Sequence, residues 1–562
     1  MFKFRHRPVK LPFVIVSLIL VSFILGWTAS RFDDEKKITK DMIAFTEKLI
    51  GLEFNDAKRD SMLTALNDQR KNFEKIRLAG LTNDITPAMF FNPVPPGFIF
   101  DAKQLPLAFS DYSKVTLPKN REELAYYSVG QLGHLIKSKQ LSCEELTSFF
   151  ISRLKKYGPR LECIITPMYD DAIKQARILD KELKAGKYRG PLHGIPYGLK
   201  DLFAVKGYRT TWGSVPYKNQ VINTTATVVQ KLESAGAVLV AKTTLGELAM
   251  DDVWFGGWTR NPWDVTKGSS GSSAGSAASV SAGLLPFAIG TETWGSIVSP
   301  STVCGVTGLR PTFGRISRAG AMALSWSMDK VGPICRDAED CAIIFNSIRG
   351  SDGLDLCTTD KAFNYSPRLN IKKLRVGYLK KDFSGKYESN ANDSLALEGL
   401  RKSGIELIPV ELPNDIPIED LSIILTAEAG AAFDELTRTG QDDQMRRQFK
   451  DSWPNVFRAS RFIPAVEYVN ANRLRQKLLV KMNTLMKSLD VLIAPSLEGN
   501  SLLCTNLTGH PCITVPDGFS DKGTPTSITF IGNLYDEGTI IAFAKYYQSK
   551  TEFHLKHPGE FR

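Results

Sequence analysis

Residues 267–296 read KGSSGSSAGSAASVSAGLLPFAIGTETWGS, and they carry most of the information on structure and chemistry in this chain. The start of the segment is rich in glycine and serine, as in a flexible linker. A linker is not expected here, because residues 277–283 favour a helix and the apolar run 284–289 favours a buried strand that leads into a second glycine-bearing turn. Glycines let backbone N–H groups converge on one point, so the segment predicts a site for an oxyanion or a phosphate.

Two known sequence motifs limit the kinds of site that this segment can form. The phosphate-loop pattern G-x-x-x-x-G-K-[ST] does not occur in it. The serine-hydrolase elbow G-x-S-x-G matches at 271–275 with Ser273 in the centre, but residues 263–268 before it are not an apolar strand. Its base would have to be His510, His554 or His557. The elbow therefore stays a weaker alternative to an arrangement in which a lysine is the base.

Lys200 is the candidate base. It ends the apolar stretch HGIPYGL (193–199), where a buried strand would deliver its last side chain to the edge of a sheet. Taken by itself, the stretch favours a surface lysine whose stem covers apolar area. Taken with the serine-rich segment, it favours a Ser–Lys arrangement for nucleophilic catalysis.

Together these segments resemble the amidase signature family over roughly residues 120–550. The motifs that carry the resemblance are the lysine strand 191–201, GSSAGS at 271–276, GTETWGSI at 290–297, CGVTGLRPTFGRIS at 304–317 and NLTGHP at 506–511. The resemblance implies an α/β fold with a large central mixed β-sheet covered by helices on both faces, here with an N-terminal helical extension. It implies no cofactor and no metal.

The resemblance also implies the roles of individual side chains. Ser296 is similar to the family's nucleophile, Ser272 to the serine that the family holds through a cis peptide, and Lys200 to the base. Ser273 and Thr291 are expected to support these three residues.

The turn at 293–296 is expected to supply the oxyanion hole through the backbone N–H groups of Thr293, Trp294, Gly295 and Ser296. This turn departs from the family pattern, since Trp294 stands where glycine is common. Trp294 lacks the conformational freedom of glycine, and we expect its ring to fill space beside the site.

Two further departures flank the turn. Glu292 stands where aspartate is usual, and Val298 stands where arginine is usual. Val298 lacks the charge of that arginine, whose role in the family is structural, and all three reacting residues are retained.

Elsewhere the sequence alternates between helix and strand patterns, which favours an α/β fold with a mostly buried sheet. A capping box at Ser142 and Glu145 opens a helix that should end near Lys156. A further helix is predicted at 171–185, and strands are predicted at 237–241, 375–379, 490–494 and 512–516.

Three regions are predicted along the chain: 1–30, 31–120 and 121–562. The first has basic residues before an uncharged apolar run, which is typical of a signal anchor or a cleaved signal peptide, and this predicts export. The protein would then be membrane-anchored and face away from the cytoplasm, or be secreted or periplasmic. The second region contains two amphipathic helices and a proline-rich connector, and the third is the catalytic domain. The two helices are expected to pack against that domain or, alternatively, to form a homodimer.

Composition excludes other classes of protein. The 562 residues are 43% hydrophobic and 23% charged, as in globular proteins. The net charge of +11 comes without a compact basic run interleaved with aromatic residues, so no nucleic acid partner is expected. The eight cysteines form no CxxC pair, which argues against a metal site.

We therefore predict an amidase that hydrolyses a small-molecule or peptide carboxamide to a carboxylate and ammonia or an amine, through a Ser–cisSer–Lys triad and an acyl-enzyme. The alternatives are an amidotransferase A-type subunit that releases ammonia from glutamine, a serine esterase, and an inactive binding protein. The predicted export argues against the amidotransferase. The presence of Lys200, Ser272 and Ser296 argues against the inactive protein.

Overall fold

The computed structural model describes residues 37–78, 80–100 and 103–561, and it divides into one unit before Asn83 and a second from Asn83 onward. The predicted signal segment 1–30 lies outside the described residues. The boundaries of the three predicted regions stay a prediction.

The first unit contains two helices, α1 (Lys40–Ile50) and α2 (Asp56–Arg77), in the segment whose apolar spacing predicts amphipathic helices. The side chains of Thr39 and Asn55 cap them by accepting hydrogen bonds from backbone N–H groups of the first turns. An ion pair of 2.8 Å between Arg59 and Glu47 joins the two helices.

Among the described residues, the second unit is built on an eleven-stranded sheet. In chain order the strands of the structure are β1 (Ile164–Pro167), β2 (Pro196–Lys200), β3 (Val238–Thr243), β4 (Val253–Trp254), β5 (Gly257–Trp258), β6 (Arg260–Asn261), β7 (Asp264–Gly268), β8 (Phe287–Glu292), β9 (Thr307–Arg310), β10 (Lys330–Cys335), β11 (Val376–Leu379), β12 (Leu407–Val410), β13 (Val491–Pro495), β14 (Cys512–Phe519) and β15 (Pro525–Gly532).

The large sheet has the order β1-β3-β2-β8-β10-β9-β14-β15-β13-β11-β12, while β4–β5 and β6–β7 form separate two-stranded ribbons. Strand β2 runs parallel to both β3 and β8, whereas β8, β10, β9, β14, β15 and β13 alternate in direction. The sheet is therefore mixed, which confirms the predicted fold class.

Helices cover the sheet on both faces. In chain order the helices of the second unit are α3 (Val129–Lys137), α4 (Cys143–Leu161), α5 (Tyr169–Lys184), α6 (Thr227–Ser234), α7 (Ala274–Ser281), α8 (Val298–Cys304), α9 (Ala338–Ile348), α10 (Lys380–Phe383), α11 (Asn390–Lys402), α12 (Ile423–Ala432), α13 (Asp434–Arg438), α14 (Trp453–Ser460), α15 (Ala465–Met486), α16 (Ser501–Thr508) and α17 (Glu537–Thr551).

The central strands β2, β3 and β8 are almost wholly buried, as continuous apolar runs predict for parallel strands covered on both faces. Helix α7 lies unusually close to them. A Cβ added at Gly275 would lie 2.3 Å from the carbonyl oxygen of Cys163 and 2.4 Å from Oγ1 of Thr244. The small residues of the serine-rich segment thus let this helix pack directly on the sheet.

Two local features differ from the sequence expectations. Helix α4 has the predicted capping box at Ser142 but continues to Leu161, where Glu162 ends it in the left-handed conformation. Residues 264–268 form strand β7, which pairs with β6 outside the main sheet and is half exposed. Because its side chains are mostly polar, it is not the apolar strand that a serine-hydrolase elbow would follow.

Candidate active site

Strand β2 carries Lys200 into the interior, where the side chain has no exposed surface. Its Nζ donates to Oγ of Ser272 at 2.8 Å, to Oγ of Ser273 at 3.0 Å and to Oγ1 of Thr291 at 2.9 Å. An ammonium has three donors and no acceptor, so these oxygens match its full capacity. The structure thereby brings together four of the residues that the sequence analysis selected.

Burial controls the protonation of Lys200. Removal of the amine from water lowers the pKa of Lys200 to about 7, although the nearby carboxylates of Asp329 and Glu292 act in the opposite direction. A substantial fraction of the amine is therefore neutral near pH 7, which a proton acceptor requires.

The two serines that contact Lys200 lie between β7 and α7. The peptide bond from Gly271 to Ser272 is cis. Position 271 accepts only glycine, because an added Cβ would lie 1.7 Å from the carbonyl oxygen of Asp251. Ser272 and Ser273 are both buried.

Ser273 is tied to β8 through its hydroxyl. Its Oγ accepts from the N–H of Thr291 at 3.2 Å and donates to the carbonyl of Thr291 at 3.1 Å. Within the described residues, its side-chain partners are Thr291 and Lys200, with no histidine among them. The candidate histidine His510 instead bonds Oγ1 of Thr508 at 2.8 Å. This geometry supports a positioning role for Ser273 and disfavours the G-x-S-x-G elbow.

Ser296 lies in the turn between β8 and α8 and is 8% exposed. Gly295 adopts a φ of 87°, a conformation in which glycine is favoured. The carbonyl of Ser296 accepts a hydrogen bond of 3.2 Å from the N–H of Ser273. This bond joins the turn of Ser296 to the loop of Ser272.

The turn also presents free backbone donors. Across the described part of the chain, no acceptor is found for the N–H groups of Trp294, Gly295 and Ser296. Trp294 keeps a negative φ, since Gly295 takes the left-handed position, and its ring is 45% exposed. Trp294 is therefore nearly half exposed to solvent, whereas we expected its ring to fill space beside the site.

Glu292 anchors the backbone directly after Ser296. Its carboxylate accepts from the N–H groups of Ile297 and Val298, both at 2.9 Å, and from Arg310 at 2.7 Å. Burial alone would raise the pKa of Glu292, but the charge of Arg310 and these hydrogen bonds outweigh it and hold the pKa at about 2. The positive partner of Glu292 thus comes from β9.

Asp329 is a second carboxylate at the turn, and it is half-buried. It accepts from Oγ1 of Thr293 at 2.5 Å and from the N–H groups of Leu324 at 2.8 Å and Ser325 at 3.0 Å. The sequence analysis assigned no role to Asp329 or Arg310. The only signal for Arg310 was its place in the motif at 304–317.

A cavity of about 330 Å³ opens beside these residues, with Thr291 and Thr293 in its wall. A larger cavity of about 690 Å³, lined by residues such as Phe98 and Tyr535, contains none of the predicted site residues. The smaller cavity is therefore the candidate substrate pocket.

Comparison with known proteins identifies the family. The model of the family described as Amidase matches residues 145–503. The chain belongs to the amidase family. The A-type subunit of glutamyl-tRNA(Gln) amidotransferase from Marinomonas sp. (strain MWYL1) is 32% identical over 478 residues, which cover 77% of this chain and 98% of that protein.

Solved structures of amidases have the same fold. The native peptide amidase from Stenotrophomonas maltophilia matches with a TM-score of 0.70 and 29% identity, covering 78% of this chain and 99% of that one. An amidase family protein from Bacillus anthracis str. Ames matches with a TM-score of 0.69 and 26% identity, over 78% and 93% of the two chains. The predicted family and enzyme class, a hydrolase of C–N bonds in linear amides, are confirmed.

The prediction of an exported amidase is wrong. The curated relatives that match over 77% of this chain are amidotransferase subunits whose name connects them with tRNA. Within 37–78, 80–100 and 103–561, no helix combines the length and the apolar character needed to cross a bilayer. The sequence argument failed because it rested on residues 1–30 alone, outside the amidase domain.

Proposed function

We propose that this amidase hydrolyses a carboxamide to a carboxylate and ammonia or an amine through an acyl-enzyme, with Ser296 as nucleophile, Ser272 as relay and Lys200 as base. One observation carries the proposal. The buried amine of Lys200, whose pKa is about 7, lies 2.8 Å from Oγ of Ser272, beside the turn that contains Ser296.

In the first step, neutral Lys200 accepts the proton of Ser272, and Ser272 takes the proton of Ser296. Oγ of Ser296 attacks the amide carbonyl, and the carbonyl oxygen becomes an oxyanion. The N–H groups of the turn, which have no acceptor among the described residues, would stabilise this charge. A single such donor contributes about 3 to 4 kcal/mol in other enzymes.

The tetrahedral intermediate then collapses. Protonated Lys200 returns its proton through Ser272 to the leaving nitrogen, and the C–N bond breaks to give the acyl-enzyme and ammonia or an amine. Water then attacks the acyl carbonyl and gives a proton through Ser272 to Lys200. The second tetrahedral intermediate collapses as that proton returns to Oγ of Ser296, and the carboxylate is released.

A small-molecule or peptide amide is the proposed substrate, because the peptide amidase from Stenotrophomonas maltophilia acts, by its name, on peptide amides. A second candidate has its own support. The similarity to the A-type subunit of glutamyl-tRNA(Gln) amidotransferase favours release of ammonia from glutamine for use by other subunits.

The test follows ammonia release from aliphatic, aromatic, amino-acid and peptide amides and from glutamine, together with hydrolysis of p-nitrophenyl esters. It uses the full chain, the Ser296→Ala variant and Ser299→Ala as a matched control. Ser299 lies three residues after Ser296, in the first turn of α8, and its hydroxyl pairs with that of Ser270.

We expect the parent and Ser299→Ala to release ammonia, and Ser296→Ala to lose at least about a thousandfold in rate. Equal rates for Ser296→Ala and the parent would eliminate this mechanism. Cleavage of the esters alone would favour the esterase, and release from glutamine alone would favour the amidotransferase.

A further inference from the structure

The cavity beside Thr291 and Thr293 lies where the acyl part of a substrate would extend. Thr291 bonds the amine of Lys200, and Thr293 begins the turn that contains Ser296. These two residues connect the cavity, whose volume is about 330 Å³, to the predicted base and to the turn of the predicted nucleophile.

Just over half of the side chains in that wall are apolar. The large ones are Leu202, Met322, Leu324, Trp326, Val331 and Leu354. An acyl group that contacts these residues gains free energy from burial of its own apolar surface.

The two cations of the described wall are already engaged by the protein. Arg318 donates to both oxygens of Asp355, at 2.8 and 3.0 Å, and to the carbonyl of Trp326 at 2.6 Å. Lys330 donates to the carbonyl of Met328. Burial, with the charge of Arg310, holds the pKa of Lys330 well below its ordinary value, which disfavours the charged form of its amine.

The carboxylates in the described wall add negative charge, and no unpaired positive charge is left there for a carboxylate of the substrate. Asp355 is paired with Arg318, and Asp329 accepts three hydrogen bonds from the turn and its neighbours. Asp84 adds a negative charge at the exposed rim. An incoming carboxylate would lose hydration without gaining a partner.

We propose that this cavity selects an uncharged, largely apolar acyl group and rejects one that ends in a carboxylate, so that glutamine is a poor substrate. This inference rests on the proposed function, because its kinetic test requires that the protein hydrolyse amides. Such a preference would also distinguish this protein from an enzyme that releases ammonia from glutamine.

The test compares three amides of similar length: isocaproamide, which is neutral, succinamate, which replaces its isopropyl end by a carboxylate, and γ-aminobutyramide, which is cationic. L-Glutamine is the fourth substrate. We expect kcat/KM for isocaproamide to exceed that for succinamate and for glutamine by about a hundredfold or more. Equal values for isocaproamide and either anionic amide would overturn the inference.

A second experiment introduces a positive charge into the wall of the cavity. Leu354 lines the cavity and is 69% exposed, so its replacement does not disturb the core. Leu354→Lys should raise kcat/KM for succinamate about tenfold over that of Leu354→Gln, because both variants lose the same apolar contact and only the lysine adds a positive charge. Leu354→Gln is the neutral control, and both variants should lower kcat/KM for isocaproamide by a similar factor. No gain for succinamate in Leu354→Lys would contradict this location of the acyl group.

Binding separates the inference from the proposed function. Titration calorimetry of Ser296→Ala with the same amides measures affinity without turnover. Tighter binding of isocaproamide than of succinamate supports the inference even if the parent hydrolyses neither, in which case the proposed function fails alone. Equal or reversed affinities overturn the inference, whatever the parent hydrolyses.

Discussion

Nζ of Lys200 and Oγ of Ser272 lie 2.8 Å apart, and both residues are closed to solvent. Burial without a carboxylate in direct contact leaves the amine of Lys200 with a pKa of about 7. The base is therefore poised to change its charge near neutral pH.

This relationship predicts the pH dependence of activity. Lys200 accepts a proton only when neutral, so kcat/KM should rise with pH through about 7, reach a plateau above it, and fall about tenfold for each unit of pH below it. Rates measured with isocaproamide across this range test the prediction. Lys200→Ala should lose about a hundredfold to ten-thousandfold at the plateau. A profile that is flat through neutrality would show that Lys200 is not the base.

The serine-rich segment, the strand of Lys200 and the fold class were accessible from sequence because each depends on residues close together in the chain. Glycine, serine and apolar residues alternate over a few positions at 267–296, and that pattern identifies the loop, helix, strand and turn. The same holds for the capping box at Ser142, which marks the beginning of α4.

Asp329 and Arg310 could not be assigned from sequence, because long-range pairing creates their roles. Strand β10 pairs with β8 in a register that places Lys330 opposite Glu292, and this brings Asp329 to the turn. Arg310 reaches Glu292 from β9, across two strand pairings. No local pattern encodes such contacts.

Thr291 offers a test of how the amine is held. Its Oγ1 accepts from Lys200 at 2.9 Å and favours the charged ammonium. Thr291→Val removes this acceptor, so the pKa of Lys200 should fall, the ascending limb should move to lower pH, and the plateau rate should drop about tenfold. Thr291→Ser keeps the hydroxyl and is the matched control. Parallel behaviour of the two variants would show that only packing matters at this position.

The ion pair of Glu292 and Arg310 predicts a large effect on stability. Both side chains are fully buried and lie 2.7 Å apart, so Glu292→Gln leaves Arg310 charged and unpaired. We expect a loss of about 3 to 5 kcal/mol in the free energy of unfolding. Denaturant unfolding measures it, and a cycle with Arg310→Met isolates the coupling. Additive effects of the two single changes would show that the pair contributes no coupling.

The same pair gives a pH dependence whose sign follows from the low pKa. The pKa of Glu292 is about 2 in the folded protein against an ordinary value of 4.5. Its contribution to stability is therefore fully present above pH 4.5 and is lost as pH falls towards 2. The difference between the parent and Glu292→Gln should shrink over that interval. A difference that stays constant there would contradict the assigned ionisation.

Asp393 of α11 and Asp517 of β14 form a buried carboxyl pair. Oδ1 of Asp393 and Oδ2 of Asp517 are buried and find no donor among the described residues, and each carboxyl affects the pKa of the other. Two neighbouring carboxyls without a cation are most stable when they share one proton. Ser389 and Thr526 donate to the outer oxygens, at 3.2 and 2.6 Å. Tyr387, Tyr547 and Glu498 also face the pair, and none of them supplies a positive charge.

Burial, followed by the neighbouring Asp393, holds the pKa of Asp517 well above its ordinary value of 3.8. Because folding raises the pKa of Asp517, the contribution of this group to stability is fully present below pH 3.8. That contribution is lost as the pH rises through the pKa that Asp517 has in the folded protein. Asp517→Asn keeps the shape and cannot ionise, so near pH 8 it should be more stable than the parent by about 1 to 2 kcal/mol. Below pH 3.8 the advantage should disappear.

Denaturant unfolding at a series of pH values measures this difference, with Asp393→Asn as the reciprocal variant. Both single variants should show the same gain at alkaline pH, since either one removes the repulsion, and the double variant should gain nothing further. A loss of stability in Asp517→Asn at every pH would show that the pair does not share a proton. The contrary result would be that calcium stabilises the parent and neither single variant. That result would identify a cation between the two carboxylates and would overturn the prediction.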